Sequence, residues 1–241
     1  MSFVFIPGVG HGGWCWHPVG HHVRAAGHRA YALTLPGLAM GDDPSGLRLA
    51  DAVNYIVDEV ERRDLRNVVL VGHSFAGIPV TGAAHRIAER LSHIVFFSAF
   101  IPRRGESMAD ALGPDVAAWM HATAEAAPDG TIGMDYETFS TRLMQDGPDD
   151  LKRLIYNQLL PTPGQYVFDA LDVDGVDTLG VPITYLLAEQ DIALAAPGVA
   201  LAARVGVAPI MVPGTHEALL THPEELANAI LYYSRGSKNL G

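Results

Sequence analysis

Short apolar runs rich in β-branched and aromatic residues recur along the chain, and turn-forming residues follow each of them. Most of these runs are apolar at consecutive positions, which is typical of strands buried on both faces of a parallel sheet. Six segments share the pattern: Phe3–Ile6, Arg29–Leu35, Asn67–Val71, His93–Phe97, Pro182–Ala188 and Ala208–Val212. We therefore predict a mostly parallel sheet of about six strands.

Helical patterns lie between the predicted strands. In the clearest one, charged residues occupy the face opposite an apolar stripe, which is formed by Leu49, Ala52, Val53, Ile56, Val57 and Val60. Another helix is predicted to begin near Pro223, with two glutamates in its first turn, and to continue through Tyr233. Strands that alternate with helices predict βαβ units, and hence an α/β fold with helices flanking the sheet.

The alternation is interrupted once, between residues 102 and 180. This stretch contains no convincing buried strand, and its helix-like segments are separated by glycine and proline: Asp115–Ala127, Tyr136–Gln145 and Asp149–Leu160. Ligands of open α/β sheets bind at the carboxyl ends of the strands. We therefore predict a helical cap over residues 102–180, inserted after the fourth strand of a core formed by residues 1–101 and 181–241.

Charge and cysteine content narrow the class of protein. The net charge is −11 and lysine and arginine form no cluster, which argues against nucleic acid and anionic membranes as partners. The lone Cys15 excludes an intramolecular disulfide, and no apolar stretch approaches the ~18–20 residues of a membrane span. Without a basic segment or a long apolar run at the N-terminus, we expect no signal peptide and a cytoplasmic location. A homodimer is compatible with the sequence.

The third predicted strand is followed by Gly72-His73-Ser74-Phe75-Ala76-Gly77, which differs from a Gly-x-Ser-x-Gly motif in having alanine before the second glycine, and which leads into an apolar helical pattern. A strand-to-helix turn at Ser74 would raise its Oγ to the carboxyl edge of the sheet. Side chains at Gly72 or Gly77 would collide in such a turn, and the N–H of Phe75 would point to the same place as Oγ. A helix N-terminus adds partial positive charge there. We predict that Ser74 is a nucleophile and Phe75 an oxyanion donor, rather than parts of an incidental glycine-rich turn.

A serine nucleophile needs a base, which a third group holds in place. With this motif, the acid and then the histidine follow the serine along the chain. His216 lies in the loop after the sixth predicted strand, whereas His73 and His222 are less suitably placed. The fifth predicted strand ends in two carboxylates, Glu189 and Asp191. We prefer Asp191, because a short side chain in the loop holds the imidazole with less freedom.

The turn after the first predicted strand is rich in glycine. A second oxyanion donor is expected from this turn, and Pro7 has no N–H to offer. Val9, with a glycine on each side, is the candidate. The turn lacks the lysine and the spacing of a phosphate-binding loop, so that alternative is weaker, as is a turn without function.

Several strings of residues carry a family resemblance, of which His-Gly-Gly-Trp-x-Trp is the most distinctive: Phe3–Trp16, Gly72–Gly77, Phe97–Pro102, Tyr156–Asn157 and Gly214–His216. On these strings the chain resembles the methylesterase and hydroxynitrile lyase family of α/β-hydrolases, which includes plant salicylate-binding methylesterases and bacterial relatives. The similarity extends over most of the chain, and the chain resembles a bacterial-type member of the family. It also implies that the first two strands of larger α/β-hydrolases are absent.

The resemblance implies a catalytic triad of Ser74, Asp191 and His216, with oxyanion donors at Val9 and Phe75. It implies no cofactor. The expected substrate is a small carboxylic ester, such as a methyl ester or a lactone, bound under the helical cap. The expected activity is that of a serine carboxylesterase with an acyl-serine intermediate.

Two positions depart from the lyase members of this family. The S-selective lyases carry threonine at the position of Gly8 and lysine directly after the catalytic histidine, where this chain has Glu217. Without that cation a departing cyanide has no obvious stabiliser, so lyase activity of this kind is disfavoured. If Glu217 approaches His216, its charge should favour the imidazolium.

Three alternatives stay open at this stage. The same residues can serve a lyase or cyclase, for example in natural-product metabolism, or the chain can be a small-molecule-binding protein with a vestigial site. A metal site built from the N-terminal histidines is the third alternative, although no third ligand is evident beside His17 and His21; His11, His22 and His28 complete this histidine-rich segment. We expect no metal and interpret Cys15 as a packing residue.

The sequence is least informative about the walls of the substrate pocket. The candidates are Gly8, Trp14, Phe97, Phe100 and Glu217. For the aromatic residues among them, a place in the hydrophobic core is an equally good interpretation.

Overall fold

The computed structural model describes residues 1–194 and 196–235. Six parallel strands form the main sheet, in the order β2-β1-β3-β4-β7-β8, and a two-stranded antiparallel sheet joins β5 and β6. The strands are β1 Ser2–Ile6, β2 Arg29–Ala32, β3 Val68–His73, β4 Leu91–Phe97, β5 Thr131–Ile132, β6 Thr162–Pro163, β7 Ile183–Ala188 and β8 Ile210–Val212. All six predicted strands are present, so the predicted sheet is confirmed.

The ends of these strands differ from the prediction by a few residues. Asn67 has a φ of +52°, a left-handed conformation, so β3 starts one residue later than predicted. At its other end β3 continues to His73, because Gly72 and His73 pair with the last two residues of β4. The strand therefore delivers the chain directly to Ser74. The prediction for β2 extended to Leu35, whereas the strand ends at Ala32.

Helices cover both faces of the main sheet. They are α1 His17–Ala25, α2 Leu49–Arg62, α3 Gly77–Ile87, α4 Met108–Leu112, α5 Pro114–Ala126, α6 Tyr136–Thr138, α7 Asp149–Tyr156, α8 Gly164–Phe168, α9 Gly198–Ala203, α10 Ala218–Thr221 and α11 Pro223–Tyr233. The six apolar positions predicted for α2 are all buried, as expected from their spacing. Along the part of the chain that the structure describes, no helix is long and apolar enough to cross a membrane.

Alternating side chains of each strand enter two separate cores. Val4, Ile6 and Leu70 join α2, α3 and α9 in one core, while Phe3 and Phe5 join α1, α10 and α11 in the other. Each buried side chain of this size contributes ~1.5–3 kcal/mol to the free energy of folding. The two cores fix the sheet, and hence the positions of the loops at its carboxyl edge.

Residues 102–180 separate β4 from β7 and contain α4–α8 together with β5 and β6. We call them the inserted segment. Its helices largely follow the prediction, but α7 ends at Tyr156, and a π-helical turn over Phe139–Leu143 replaces the predicted continuation of the helix that starts at Tyr136. A small apolar cluster holds this part together: Phe139, Leu143, Met144 and Ile155. The two short strands were not predicted, because two-residue strands carry no periodicity.

Candidate active site

Ser74 occupies a strained turn between β3 and α3. Its φ of +56° lies in the left-handed region, which costs a non-glycine residue ~1–2 kcal/mol. A short 3-10 turn over Ser74–Ala76 leads directly into α3, and the N–H of Phe100 donates to the carbonyl of Ser74 over 2.9 Å. The surrounding backbone therefore holds the serine at the carboxyl edge of the sheet, as the motif predicted.

The glycines on either side of Ser74 are needed because of close packing. A Cβ at Gly77 would overlap the carbonyl oxygen of Phe100, and a Cβ at Gly72 would lie 3.0 Å from a methyl carbon of Val80. The predicted collision is confirmed at Gly77, whereas at Gly72 the Val80 side chain would have to shift by a few tenths of an ångström.

His216 and Asp191 are in direct contact. The Nδ1 of His216 lies 2.8 Å from Asp191 Oδ2, and both side chains are almost fully buried. The second carboxylate oxygen accepts a hydrogen bond from the N–H of Ala193 over 2.8 Å. The side chain of Glu189, the rival acid, is exposed. The loop after β7 thus presents Asp191 to His216, in agreement with the sequence-based preference.

Asp191 and His216 shift each other's pKa values. Burial alone would raise the pKa of Asp191, but the charge of His216 and hydrogen bonds from His216, Ala193 and Ser98 lower it to about 2. Burial alone would lower the pKa of His216, but Asp191 and, less strongly, Glu217 raise it above its usual value. The carboxylate is therefore ionised at neutral pH, and the imidazole is made more basic.

The structure gives His73, the less suitable candidate for the base, a hydrogen-bond partner in the backbone. Its Nε2 donates to the backbone carbonyl of His216 over 3.0 Å, and the two rings lie 4.7 Å apart. Burial lowers the pKa of His73 well below its usual value, and the charge of His216 lowers it further. A neutral His73 therefore supports the loop of His216. Nothing in the sequence indicates this contact between residues 143 positions apart.

The turn after β1 approaches the serine at Gly8, where a Cβ would lie 2.9 Å from Ser74 Cβ. Val9 follows in this turn, and its carbonyl accepts a hydrogen bond from Nδ1 of His11 over 2.8 Å. The next residue, Gly10, donates from its N–H to Thr162 Oγ1 in the inserted segment, also over 2.8 Å. The turn is thus fixed on both sides. That Val9 and Phe75 act as oxyanion donors stays a prediction.

The inserted segment binds the loop that carries His216. The hydroxyls of Thr215 and Thr221 donate to the two carboxylate oxygens of Asp146, over 2.6 and 2.9 Å. The N–H of Glu217 donates to the carbonyl of Leu143 over 3.1 Å. Sequence reasoning missed Asp146, because nothing near it in the sequence marks a contact with a loop about 70 residues away.

The inserted segment also binds the loop that carries Asp191. Arg142 donates to the carbonyl of Ile192 over 3.0 Å, and Gln145 donates to the carbonyl of Gln190 over 2.9 Å. These acceptors are the two neighbours of Asp191 in the sequence. The π-helical turn thus lies beside both loops that carry the histidine and its acid. Turns of this kind are frequent at functional sites.

The five candidate pocket residues have different environments. Gly8 lies against Ser74, and Trp14 packs on the apolar cluster of the inserted segment, with its ring 5.5 Å from that of His11. Phe97 and Phe100 lie in the two hydrophobic cores, the alternative that the sequence had left open. Glu217 is fully buried and faces His11.

The N-terminal histidines do not form a common cluster. His17 and His21 are exposed on α1, whereas His11 is buried. Among residues 1–194 and 196–235, no three histidine, cysteine or acidic side chains are grouped as metal ligands. Cys15 is buried, as predicted for a packing residue, and burial raises the pKa of its thiol well above the usual value.

Comparisons with known proteins identify the family of this chain. The sequence profile of the alpha/beta hydrolase family matches residues 3–229. A carbendazim-hydrolyzing esterase from Nocardioides is 36% identical over 123 residues, which cover 48% of this chain and 51% of that protein. Methylesterase 1 of Arabidopsis thaliana is 28% identical over 212 residues, 80% of each protein. The match thus spans about half the length of the Nocardioides relative.

Among solved structures, an extracellular alpha/beta-hydrolase from a Paenibacillus species superimposes with a TM-score of 0.91 at 24% sequence identity. The superposition covers 98% of this chain and 99% of the other. That protein is described as sharing structural and functional homology with a tobacco salicylic acid binding protein. The matched profile, the six-stranded parallel sheet and the serine turn lead to one conclusion: this chain belongs to the alpha/beta hydrolase family.

Proposed function

We propose that this chain is a serine carboxylesterase that hydrolyses small organic esters. The observation that carries the proposal is the 2.8 Å contact between His216 Nδ1 and Asp191 Oδ2, at the sheet edge where Ser74 occupies its strained turn. A carboxylate on Nδ1 fixes the ring tautomer and directs Nε2 to proton transfer. Esterases and methylesterases among the relatives support the same reaction class.

In the proposed mechanism, His216 Nε2 removes the proton of Ser74 as Oγ attacks the ester carbonyl. The N–H groups of Val9 and Phe75 stabilise the negative oxygen of the tetrahedral intermediate. His216 then protonates the leaving alcohol, which leaves an acyl group on Ser74. Water, deprotonated by His216, attacks the acyl group and releases the acid, while Asp191 stabilises the imidazolium throughout.

We further propose that residues 102–180 act as a cap over a core of residues 1–101 and 181–241. Hydrogen bonds from this segment to all three loops that bear Gly10, Asp191 and His216 support that role. The expected substrate is a small ester, such as a methyl ester or a lactone-like ester, bound under this cap. The cytoplasmic location and a homodimer stay predictions.

The test is a screen of methyl, aryl and lactone esters with the wild type and Ser74→Ala. We expect hydrolysis by the wild type and a loss of ~10³-fold or more in kcat for the variant. Mass spectrometry should detect an acyl group on Ser74 during turnover. Substantial turnover by Ser74→Ala would contradict the acyl-serine mechanism, and tight ligand binding without hydrolysis would indicate a binding protein instead.

A further inference from the structure

A buried histidine and a buried glutamate face each other behind the candidate active site. The Nε2 of His11 lies 3.5 Å from Glu217 Oε2, and the two side chains are 2% and 0% exposed. His11 belongs to the turn that carries Val9, and Glu217 directly follows His216. The pair thus joins the two loops on which oxyanion binding and proton transfer depend.

The hydrogen bonds of His11 define where its first proton lies. A carbonyl oxygen can only accept, so Nδ1, which lies 2.8 Å from the carbonyl of Val9, carries a proton. With no other proton present, the lone pair of Nε2 would face a buried carboxylate. Both oxygens of Glu217 and Nε2 of His11 are inaccessible to solvent, and none of these three atoms has a hydrogen-bond partner among the described residues, so the 3.5 Å approach of Nε2 and Oε2 is an ion-pair contact.

An unpaired buried carboxylate costs several kcal/mol, because the low-dielectric interior replaces its hydration. A proton between Nε2 of His11 and Oε2 of Glu217 removes this cost, whichever of the two atoms holds it. The pair is then neutral as a whole. Its two members attract each other and hold their loops together.

On the basis of the esterase function proposed above, we propose that His11 and Glu217 share a proton as a positioning pair, which fixes the carbonyl of Val9 and ties the oxyanion turn to the His216 loop. Neither residue touches the reacting atoms. Their effect on the reaction passes through Val9 and His216.

The pair also controls the charge that His216 experiences. The ionisable groups around it are Cys15, whose thiol interacts with the charge of Glu217, and His73, which lies close to both His11 and His216. Asp191 faces His216 from the other side. The Glu217 carboxylate contributes to the raised pKa of His216. Loss of the His11 side chain would leave that carboxylate without its compensating proton.

The test is a double-mutant cycle of His11→Asn, Glu217→Gln and the double variant, with His11→Leu as a fourth protein. The amide nitrogen of asparagine replaces Nδ1 as a donor for the Val9 carbonyl and leaves nothing in the place of Nε2, whereas leucine removes both groups. The matched controls are His93→Gln and His93→Leu, since His93 is equally buried but donates or accepts only with Thr184, at 2.8 Å in the sheet. The measurements are kcat, KM and the pH profile of kcat/KM.

We expect His11→Leu to lower kcat by ~10–100-fold with little change in KM, because a displaced oxyanion donor weakens only transition-state binding. In His11→Asn, the acid limb of kcat/KM should move to higher pH, because the Glu217 charge is no longer compensated. The double variant lacks the Glu217 charge, so its acid limb of kcat/KM should lie at a pH close to that of the wild type. Both His93 controls should change thermal stability without moving kcat or the limb.

The proposal is overturned if His11→Leu keeps the wild-type kcat, if the acid limb of His11→Asn does not move, or if the His93 variants have the same effects. If a variant does not fold, ¹⁵N-histidine NMR of the wild type decides, since the proposal requires a proton on Nδ1 of His11. The rate at which a fluorophosphonate labels Ser74 in each variant is a separate measurement, because phosphonylation also uses the oxyanion donors. A wild type that is labelled but cleaves no ester contradicts the esterase function, whereas unchanged labelling of His11→Leu contradicts the pair.

Discussion

Gly8 lies directly against the side chain of Ser74. A Cβ at position 8 would lie 2.9 Å from Ser74 Cβ and 3.3 Å from Ser74 Oγ, the oxygen proposed to attack the substrate. Real Cβ atoms are essentially never found closer than 3.0 Å to such a neighbour. The glycine is therefore required by the position of the nucleophile, and it also sets the distance between the oxyanion turn and the serine.

The first prediction concerns Gly8→Ala. The added methyl group must displace Ser74 or the turn, and an error of about 1 Å in a reacting group can cost ~10²-fold in rate. We expect kcat on the best ester of the screen to fall by about that factor with a small change in thermal stability. Gly8→Thr, which places the lyase-type residue here, should be worse and should not create lyase activity without a cation at Glu217.

The matched control is Gly133→Ala, in the inserted segment. A Cβ at Gly133 meets no atom within 4 Å, so this variant should keep the wild-type kcat. Equal losses in both variants would show that the contact between Gly8 and Ser74 has no special role.

The second prediction concerns Asp191→Asn. Asp191 raises the pKa of His216 and fixes its tautomer, so kcat should fall by ~10³–10⁴-fold. A base must be unprotonated to act, so wild-type kcat/KM should decrease as the pH falls through the raised pKa of His216. In the variant, the acid limb should lie at lower pH. A pH profile of kcat/KM for both proteins measures this, and a limb at the same pH would contradict the proposed pairing.

The third prediction concerns the carboxylate that holds the inserted segment to the His216 loop. Asp146→Ala removes the acceptors of Thr215 and Thr221, which should lower the free energy of unfolding by ~1–3 kcal/mol. We also expect kcat/KM to fall several-fold, because the loop of His216 becomes less fixed. Urea unfolding and ester kinetics test this, with Asp115→Ala as a control at an exposed acid of α5. An effect no larger than that of the control would argue against this contact.

The fourth prediction concerns the dependence of stability on pH. Burial lowers the pKa of His93 from 6.5 to about 4 in the folded protein, so the folded state favours the neutral ring. The stabilisation is complete above pH 6.5 and is lost as the pH falls from 6.5 towards 4, by about 3 kcal/mol over that range. The free energy of unfolding of His93→Gln should depend less on pH in this range. Parallel curves for the two proteins would disprove the assignment.

Local patterns determined the elements of the fold. Consecutive apolar residues identified the central strands of the main sheet, because a strand buried on both faces has no polar position. The edge strands β2 and β8 are only partly buried, and their apolar runs matched them less closely. The apolar stripe of α2 identified its buried face. The turn at Ser74 was also predictable, because the steric demands at Gly72 and Gly77 act between close neighbours in the chain or on the adjacent strand. Strand ends were less certain, since pairing with β4 extended β3 beyond its apolar run.

The sequence placed Ser74, Asp191 and His216 in loops at one edge of the sheet, because parallel strands bring their carboxyl ends together there. It favoured Asp191 over Glu189 as the partner of the histidine, and the loop geometry brings Asp191 into that contact. The sequence did not show whether the aromatic candidates line the substrate pocket or lie in the hydrophobic core, since both places require buried apolar side chains.

Only the tertiary structure paired His11 with Glu217. In the sequence, His11 was one member of a histidine-rich segment, and Glu217 was a departure from a family pattern. Their contact joins residues about 200 positions apart, and it depends on the conformation of two loops that carry no periodic signal. Patterns of burial and turn chemistry act locally and can be identified in the chain itself, whereas contacts between loops form only after the sheet has fixed where those loops lie.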